Sequence, residues 1–264
     1  MSFATVNGQN LYYEDTGGSG PVIVFSHGLL MDHEMFAPQI AALRDRYRCI
    51  SWDERGHGQT AGDEITAFSY YDSAHDLVGL LDHLGLDTAI LAGMSQGGFL
   101  SLRCALMHPQ RVRALILMDT QAGLEDPEKT AGYAQMIETW AGQGLPDDIA
   151  DTIAQIILGD GWSGTPAWQQ KWRGWQAHNL GACFQTLVAR DDISDRIRQI
   201  QQPALVVHGD ADAAIPMARA EQLASGLASA ELVVVPGGHA ANLTHPEPVN
   251  AAIESFLAGL DQGS

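Results

Sequence analysis

Short apolar runs alternate along the chain with segments whose apolar residues recur at helical spacing. The runs are continuous, which is typical of strands buried on both faces of a parallel sheet. They predict strands at 22–25, 49–52, 88–92, 114–118, 204–207 and 232–235. Ahead of them, residues 3–6 and 9–14 flank Asn7-Gly8, a pair that favours the two-residue turn of a hairpin.

Helices are predicted in the intervals between these strands. The clearest covers residues 70–83, where leucines share one helical face and Gly85 follows as a C-terminal cap. Further helices are predicted at 38–44, directly after Ser95, at 217–225 and at 247–257. This alternation predicts an α/β fold with a mostly parallel, doubly wound sheet, in which ligands bind beyond the carboxyl ends of the strands.

Residues 121–199 interrupt the alternation. They show helical patterns and no strand pattern, which predicts an all-helical cap on an α/β core formed by residues 1–120 and 200–264. Three helices are indicated: one around 133–140, one around 149–157, and one that opens at Thr165-Pro166.

The same segment holds five of the six tryptophans of the chain. We expect Trp140, Trp168 and Trp172 to bind substrate, because aromatic rings suit an apolar pocket. The alternative interpretation is that Trp168, Trp172 and Trp175 dock their helix onto the sheet. The two roles are compatible.

The amino-acid composition limits the kinds of partner that we expect. The 264 residues are 45% hydrophobic and carry a formal net charge of −18, with no basic cluster. Such a chain repels phosphate groups, so we expect neither nucleic acid nor an anionic membrane as a partner. The three cysteines are too few and too scattered for a disulfide framework or a zinc site, and we expect no metal and no cofactor. The N-terminus lacks the pattern of a signal peptide, so a cytoplasmic location is expected.

The sequence Gly93-Met94-Ser95-Gln96-Gly97 carries the main chemical signal. It lies between a predicted strand and a predicted helix, the context of a nucleophile elbow that holds a serine hydroxyl exposed on a tight turn. Glycine is required where the backbone and the helix crowd that turn. Ser95 is therefore the predicted nucleophile.

A serine hydroxyl needs a base, and the base needs an orienting acid. His239 follows the last predicted strand and is the predicted base. His245 precedes Pro246 and is expected to lie at the start of the last helix instead. Asp212, after the strand before it, is preferred as the acid over Asp210, which is better suited to shaping the turn. Asp119, at the end of strand 114–118, stays open as an alternative acid.

An oxyanion also needs two backbone donors. The amide of Gln96 directly follows the nucleophile and is the first predicted donor. The second is expected from the loop after the first buried strand, and the amide of Leu29 is the candidate. His27 is expected to brace that loop.

With these motifs in place, the chain resembles the α/β-hydrolase superfamily along nearly its whole length. The matching pieces are His27-Gly28, residues 53–58, the Ser95 elbow, residues 209–212 and Gly238-His239. The resemblance implies a structural turn at Asp53 and Arg55. Among subfamilies, the chain looks most like 3-oxoadipate enol-lactonases, small esterases and non-heme haloperoxidases.

The predicted activity is that of a serine hydrolase that cleaves a small to medium carboxylic ester or lactone through an acyl-enzyme. Dehalogenases and epoxide hydrolases of the fold use an aspartate where this chain has Ser95. Carbon–carbon bond hydrolases and perhydrolases use the same triad and stay open, although Ala240 and Leu30 depart from their usual patterns. A ligand-binding receptor on this fold is the alternative from another class.

The net charge of the chain affects which substrate charge we expect. Enol-lactonases of the family act on a substrate with a free carboxylate, whereas a chain of net charge −18 does not steer anions inward. Arg173 and Arg190 are the candidate cations that would compensate, and each is expected to lie instead on a solvated helix face.

Overall fold

An antiparallel hairpin opens the chain, with β1 (Ser2–Val6) and β2 (Gln9–Asp15) joined through Asn7-Gly8. The computed structural model of the protein describes residues 2–60 and 65–262. Asn7 and Gly8 have φ angles of 47° and 75°, the left-handed conformation that such a turn requires. The predicted hairpin is confirmed.

Eight strands form one sheet in the order β1-β2-β4-β3-β5-β6-β7-β8. All six apolar runs form strands, so these predictions are confirmed too. The remaining strands are β3 (Val22–Ser26), β4 (Arg48–Trp52), β5 (Ala89–Met94), β6 (Val112–Met118), β7 (Ala204–Gly209) and β8 (Ala230–Val235). The pairs from β4 through β3, β5, β6 and β7 to β8 are parallel, and only the pairings of β2 are antiparallel. The carboxyl ends of the parallel strands therefore meet along one edge.

Helices pack on this mostly parallel sheet as the doubly wound α/β prediction requires. The helix Tyr70–His83 begins with a complete capping box, because Ser69 accepts from the Asp72 amide while Asp72 accepts from the Ser69 amide. Outside the interval between β6 and β7, the helices are α1 (Ala37–Leu43), α2 (Tyr70–His83), α3 (Gln96–Met107), α8 (Met217–Gly226), α9 (Ala241–Thr244) and α10 (Pro246–Gln262). Four short 3₁₀ helices lie at His33–Phe36, Gly58–Thr60, Pro109–Arg111 and Ile197–Gln199.

The interval between β6 and β7, all of it described, contains helices and no strand, as the patterns predicted. It holds α4 (Pro127–Gln143), α5 (Asp147–Leu158), α6 (Thr165–Arg173) and α7 (Ala177–Ala189). Helix α7 was not among the three predicted helices, although Leu180, Phe184 and Leu187 share one buried face at helical spacing. We call residues 121–199 the helical insertion.

The core lies between the sheet and its helices. Strands β5 and β7 are buried at every residue, which accounts for their unbroken apolar runs. Within the described ranges, no helix is both long enough and apolar enough to cross a lipid bilayer.

Candidate active site

Ser95 lies at the sharp turn between β5 and α3. Its φ of 50° and ψ of −113° are rare for a residue with a side chain, and strain of this kind is typical of functional turns. The turn is fixed on both sides, because the Ser95 amide donates to the Met118 carbonyl at 2.9 Å and the Ser95 carbonyl accepts from the Gly98 amide at 2.9 Å. The hydroxyl is thereby held in a defined place at the edge of the sheet.

Two glycines make this turn possible through close backbone contacts. A Cβ atom on Gly93 would lie 2.2 Å from the Gly97 carbonyl oxygen. A Cβ atom on Gly97 would lie 1.9 Å from the carbonyl oxygen of Ser26 in β3. Both distances are far below van der Waals contact, so any side chain at either position would push α3 away from the strands.

His239 follows β8 and meets Asp212, which follows β7. The two are joined by a hydrogen bond of 2.9 Å between His239 Nδ1 and Asp212 Oδ2. Asp212 Oδ1 accepts from the backbone amides of Ala214 at 2.8 Å and Ile215 at 2.9 Å, which fixes the carboxylate. Nε2 is the remaining nitrogen of the His239 ring, and the ring lines the same cavity as Ser95. No hydrogen bond joins it to Ser95 Oγ among the described residues, and in ligand-free enzymes such contacts are often long.

The electrostatics of this pair favour a charged imidazolium. Burial disfavours the charged form of His239, but the facing Asp212 carboxylate outweighs burial and raises the pKa of the imidazole above its usual value. Burial likewise opposes ionisation of Asp212, yet His239 keeps the pKa of this carboxyl below its usual value. The carboxylate is thus suited to stabilise a proton that the histidine receives.

Asp119, the alternative acid, is placed differently. Its Oδ1 accepts from the Gly209 amide at 2.8 Å, and its Oδ2 has no partner among the described residues. Burial, reinforced by the charge of Asp212, raises the pKa of Asp119 well above its usual range. The structure therefore brings Asp212, and not Asp119, into hydrogen-bond contact with His239.

One group of side chains that includes Asp212 has the composition of a metal site. Asp119, His208 and Asp212 each offer a ligand atom, and these atoms lie within 4.8 Å of one another. Asp212 Oδ2 is bonded to His239, and His208 Nε2 lies 3.0 Å from the Ile215 carbonyl oxygen, whereas Asp119 Oδ2 and His208 Nδ1 have no hydrogen-bond partner among the described residues. A cation bound through Asp212 Oδ2 would compete with the hydrogen bond to His239.

The predicted oxyanion donors belong to two different segments, the start of α3 and the loop after β3. Gln96 is the first residue of α3, so its amide has no intrahelical acceptor. Leu29 lines the cavity beside Ser95. The loop that carries it is pressed against the elbow, since a Cβ atom on Gly28 would lie 2.6 Å from Met94 Sδ. As expected, His27 braces the loop, through Nε2 to the Glu54 amide and Nδ1 to the Gly28 carbonyl, each at 2.9 Å.

A buried polar network behind Gln96 escaped the sequence analysis. The Gln96 side-chain amide donates to Glu54 Oε1 at 3.2 Å and lies 3.3 Å from His57 Nε2, while its oxygen accepts from the Tyr70 hydroxyl at 3.3 Å. Burial raises the pKa of Glu54 to about 8 and lowers the pKa of His57 to about 3. The network is therefore neutral near pH 7 and holds the Gln96 residue in place without adding charge.

Asp53 and Arg55 form the structural turn that the resemblance implied. Asp53 accepts from the backbone and ring of His33 and from the Gln59 amide, each at 2.8 Å. Arg55 pairs with the buried Asp76 of α2. The turn after β4 is thereby connected to His33 and to helix α2.

The cavity at the elbow has a volume of about 100 Å³ and a largely apolar wall. Ser95 and His239 lie in it, together with Glu125, the phenol of Tyr133 and a set of apolar side chains. These include Met136, Ile137, Ile153, Ile156, Ile157 and Phe184. Helices α4, α5 and α7 of the insertion therefore cover the serine with apolar surface.

The tryptophans predicted to bind substrate, Trp140, Trp168 and Trp172, are not among the residues that line this cavity. Trp172 instead donates through Nε1 to the Leu30 carbonyl at 2.7 Å, and Trp140 packs against Trp175 at 6.3 Å between ring centroids. Trp168 lies under Lys171, 4.4 Å from its ammonium. The alternative interpretation holds for α6, which docks on the loop after β3.

Neither candidate cation is free in the cavity. Arg173 pairs with Asp147 on a neighbouring helix. Arg190, expected on a solvated face, is in fact buried, and its Nη2 pairs with Glu125 Oε1 at 3.0 Å. The acidic partner Glu125 was not singled out from the sequence, because a loop glutamate has no periodic or motif signal.

Comparison with known proteins identifies the family and the fold. Residues 21–246 match the family of the α/β-hydrolase fold. A curated relative, 2-(acetamidomethylene)succinate hydrolase of Mesorhizobium japonicum, is 30% identical over 91% of this chain and 89% of its own.

Two solved structures are similar over nearly the whole chain. The enol-lactonase of Burkholderia xenovorans LB400 superposes with a TM-score of 0.88 at 26% identity, covering 97% of this chain and 100% of that one. A thermophilic esterase of Thermogutta terrifontis, solved with malate bound, has a TM-score of 0.87 at 28% identity and covers 98% of both chains. All three proteins are hydrolases by name.

Proposed function

Because the chain belongs to the α/β-hydrolase family, we propose that it is a serine hydrolase that cleaves small to medium, uncharged carboxylic esters or lactones. One observation carries the proposal. A strained serine and a histidine that is hydrogen-bonded to a buried aspartate line the same apolar cavity. Serine, base and orienting acid are the components that nucleophilic acyl transfer needs.

In this mechanism His239 Nε2 accepts the proton of Ser95 Oγ while the oxygen attacks the acyl carbon. The negative charge that forms on the carbonyl oxygen is stabilised by the amides of Leu29 and Gln96 and by the N-terminus of α3. The intermediate collapses when His239 protonates the leaving alcohol. Water then cleaves the acyl-enzyme by the same steps, and Ser95 regains its proton.

The apolar wall supports the choice of an uncharged substrate. It excludes water from the oxyanion site, which strengthens the hydrogen bonds formed there. It also offers a substrate carboxylate no free cation among the residues that line it. The name of the Mesorhizobium relative identifies a succinate, a carboxylate-bearing compound, as its substrate. Because the described residues of the cavity wall here offer no free cation, we propose that this chain differs from that relative in the charge of its substrate.

The nucleophile is tested by Ser95→Ala with p-nitrophenyl butyrate. We expect kcat/KM to fall by about 10³-fold or more, because the substitution removes the nucleophile and little volume. Ser225→Ala is the matched control, since Ser225 is exposed on α8 and bonds only to its own helix. Wild-type activity in Ser95→Ala, with the control also active, would refute the assignment.

A parallel screen of short-chain esters, aromatic esters, lactones and carbamates addresses the reaction type. Esters or lactones should give steady turnover, since the proposed mechanism regenerates Ser95 by hydrolysis of the acyl-enzyme in every cycle. A burst of product followed by stalled turnover would favour a receptor on this fold. Preferential cleavage of carbamates would contradict the proposed substrate class while leaving the nucleophile unaffected.

A further inference from the structure

Glu125 places a carboxylate in the wall of the cavity that holds Ser95 and His239. Its Oε1 accepts from Arg190 Nη2 at 3.0 Å and from Gln121 Nε2 at 3.1 Å. Among the residues that the structure describes, no hydrogen bond uses Oε2. The carboxylate is thus held through one oxygen, and the other is available to a ligand.

Arg190, which pairs with Glu125, is itself held by several contacts. Its guanidinium also donates to the carbonyls of Leu187 at 2.8 Å and Gly123 at 2.9 Å, and it lies 4.3 Å from the ring centroid of Phe99. The arginine side chain is only 2% exposed and is not part of the cavity wall. The pair therefore carries no net charge, yet it presents a strong hydrogen-bond acceptor to the cavity.

We propose that Glu125 is a specificity-determining residue whose Oε2 accepts a hydrogen bond from a hydroxyl or amide N–H group of the substrate. The inference rests on the proposed function, because it concerns the ester or lactone that Ser95 cleaves. The substrate class is then an uncharged ester or lactone that carries such a donor at a distance from the scissile bond, as in a hydroxyacyl or N-acylamino ester.

Three alternatives fit this oxygen less well. A purely apolar substrate would strip water from Oε2 without replacing the lost hydrogen bond, which is unfavourable for a charged acceptor. A substrate carboxylate would meet a charge of its own sign. An ammonium group would lose its hydration to reach a carboxylate whose charge Arg190 already balances. A neutral donor satisfies the oxygen at the lowest cost in desolvation.

The test compares kcat/KM for p-nitrophenyl butyrate with its 2-hydroxy and 3-hydroxy analogues and with p-nitrophenyl hemisuccinate. In the wild-type protein at least one hydroxy analogue should exceed butyrate by about tenfold, the effect of one hydrogen bond to a charged acceptor. The hemisuccinate, which carries a carboxylate, should be the poorest substrate. Equal values for butyrate and both hydroxy analogues would overturn the inference.

Glu125→Gln then identifies the acceptor. The substitution keeps the volume of the side chain, removes its charge and leaves Arg190 without a counterion. The preference for the hydroxy analogue should disappear, and the hemisuccinate should improve severalfold relative to butyrate. Glu138→Gln is the matched control, because it makes the same charge change at an exposed position of α4 outside the cavity wall, and its ratios should equal those of the wild type.

If the buried, unpaired arginine prevents Glu125→Gln from folding, Glu125→Met with Arg190→Met removes both charges at once. A tenfold hydroxy preference that persists in either variant would overturn the inference. A flat substrate series in the wild type with turnover that still depends on Ser95 refutes this inference alone. Turnover that survives in Ser95→Ala refutes the proposed function instead, so the two failures are distinguishable.

Discussion

At the residue scale, the account depends on the protonation of His239. Burial lowers its pKa, but the Asp212 carboxylate, with smaller contributions from Asp119 and Glu125, raises it above the usual value. A general base works only in its neutral form, so activity must be lost as the pH falls through this raised pKa. The pH at which activity is lost on the acidic side therefore reports how strongly the facing carboxylate raises the pKa of His239.

We predict that kcat/KM of the wild-type protein falls toward acid pH with a midpoint above 6.5, the usual value for histidine. Asp212→Asn should lower kcat by about 10³-fold or more and move the midpoint downward, because the neutral amide no longer stabilises the imidazolium. A pH series for both proteins checks this. Asp210→Asn is the control, since its exposed side chain accepts from the Gly237 amide and makes no other hydrogen bond among the described residues. An unshifted midpoint in Asp212→Asn would count against its assigned role.

At the element scale, α6 supports the loop that carries Leu29. The Trp172 indole donates to the Leu30 carbonyl, and Lys171 forms ion pairs with Asp32 at 2.7 Å and Glu34 at 2.8 Å in the same loop. We therefore expect α6, which contributes no residue to the cavity wall, to act on the predicted oxyanion site by positioning the backbone of this loop.

Trp172→Phe should reduce kcat about tenfold and leave KM nearly unchanged. The phenyl ring fills most of the same space, but the buried Leu30 carbonyl loses its donor and the loop loses its fixed position. Kinetics with p-nitrophenyl butyrate measure the split between kcat and KM. Trp168→Phe, on the same helix, should have little effect on kcat, and equal losses in both variants would argue for a general packing defect.

Some features of the site could be predicted from local sequence patterns, and others could not. The positions of Ser95, Asp212 and His239 follow from apolar runs, because each residue lies just beyond a strand that the pattern predicts. The contact from Trp172 to Leu30 joins residues 142 apart and leaves no local pattern. Glu125 likewise gains its setting only when α7 brings Arg190 beside it, so neither role could be predicted from neighbouring residues.

At the scale of the whole molecule, Glu54 links stability to pH. The folded protein holds its proton up to a pKa of about 8, against a usual value of 4.5. Between these values the unfolded chain releases a proton that the folded protein retains. The free energy of unfolding contributed by this group therefore declines as the pH rises from about 4.5 to about 8, by up to roughly 1.4 kcal/mol per pH unit.

Glu54→Gln should remove this decline, because the amide keeps the shape of the side chain and does not ionise. We expect the Tm of the variant to equal that of the wild type near pH 4.5 and to exceed it increasingly toward pH 8. Thermal unfolding across this range measures the difference, and Glu138→Gln at the exposed surface controls for the loss of one negative charge. A constant offset between Glu54→Gln and wild type at all pH values would contradict the buried, protonated carboxyl.

The central claim is that Ser95 forms the acyl-enzyme, and covalent labelling tests it most directly. The protein is treated with a diethyl phosphoryl ester, the intact mass is measured, and the labelled peptide is sequenced. We predict a single diethyl phosphoryl group on Ser95, loss of esterase activity in proportion to labelling, and no label in Ser95→Ala. A label on another residue, or full activity in the labelled protein, would contradict the account.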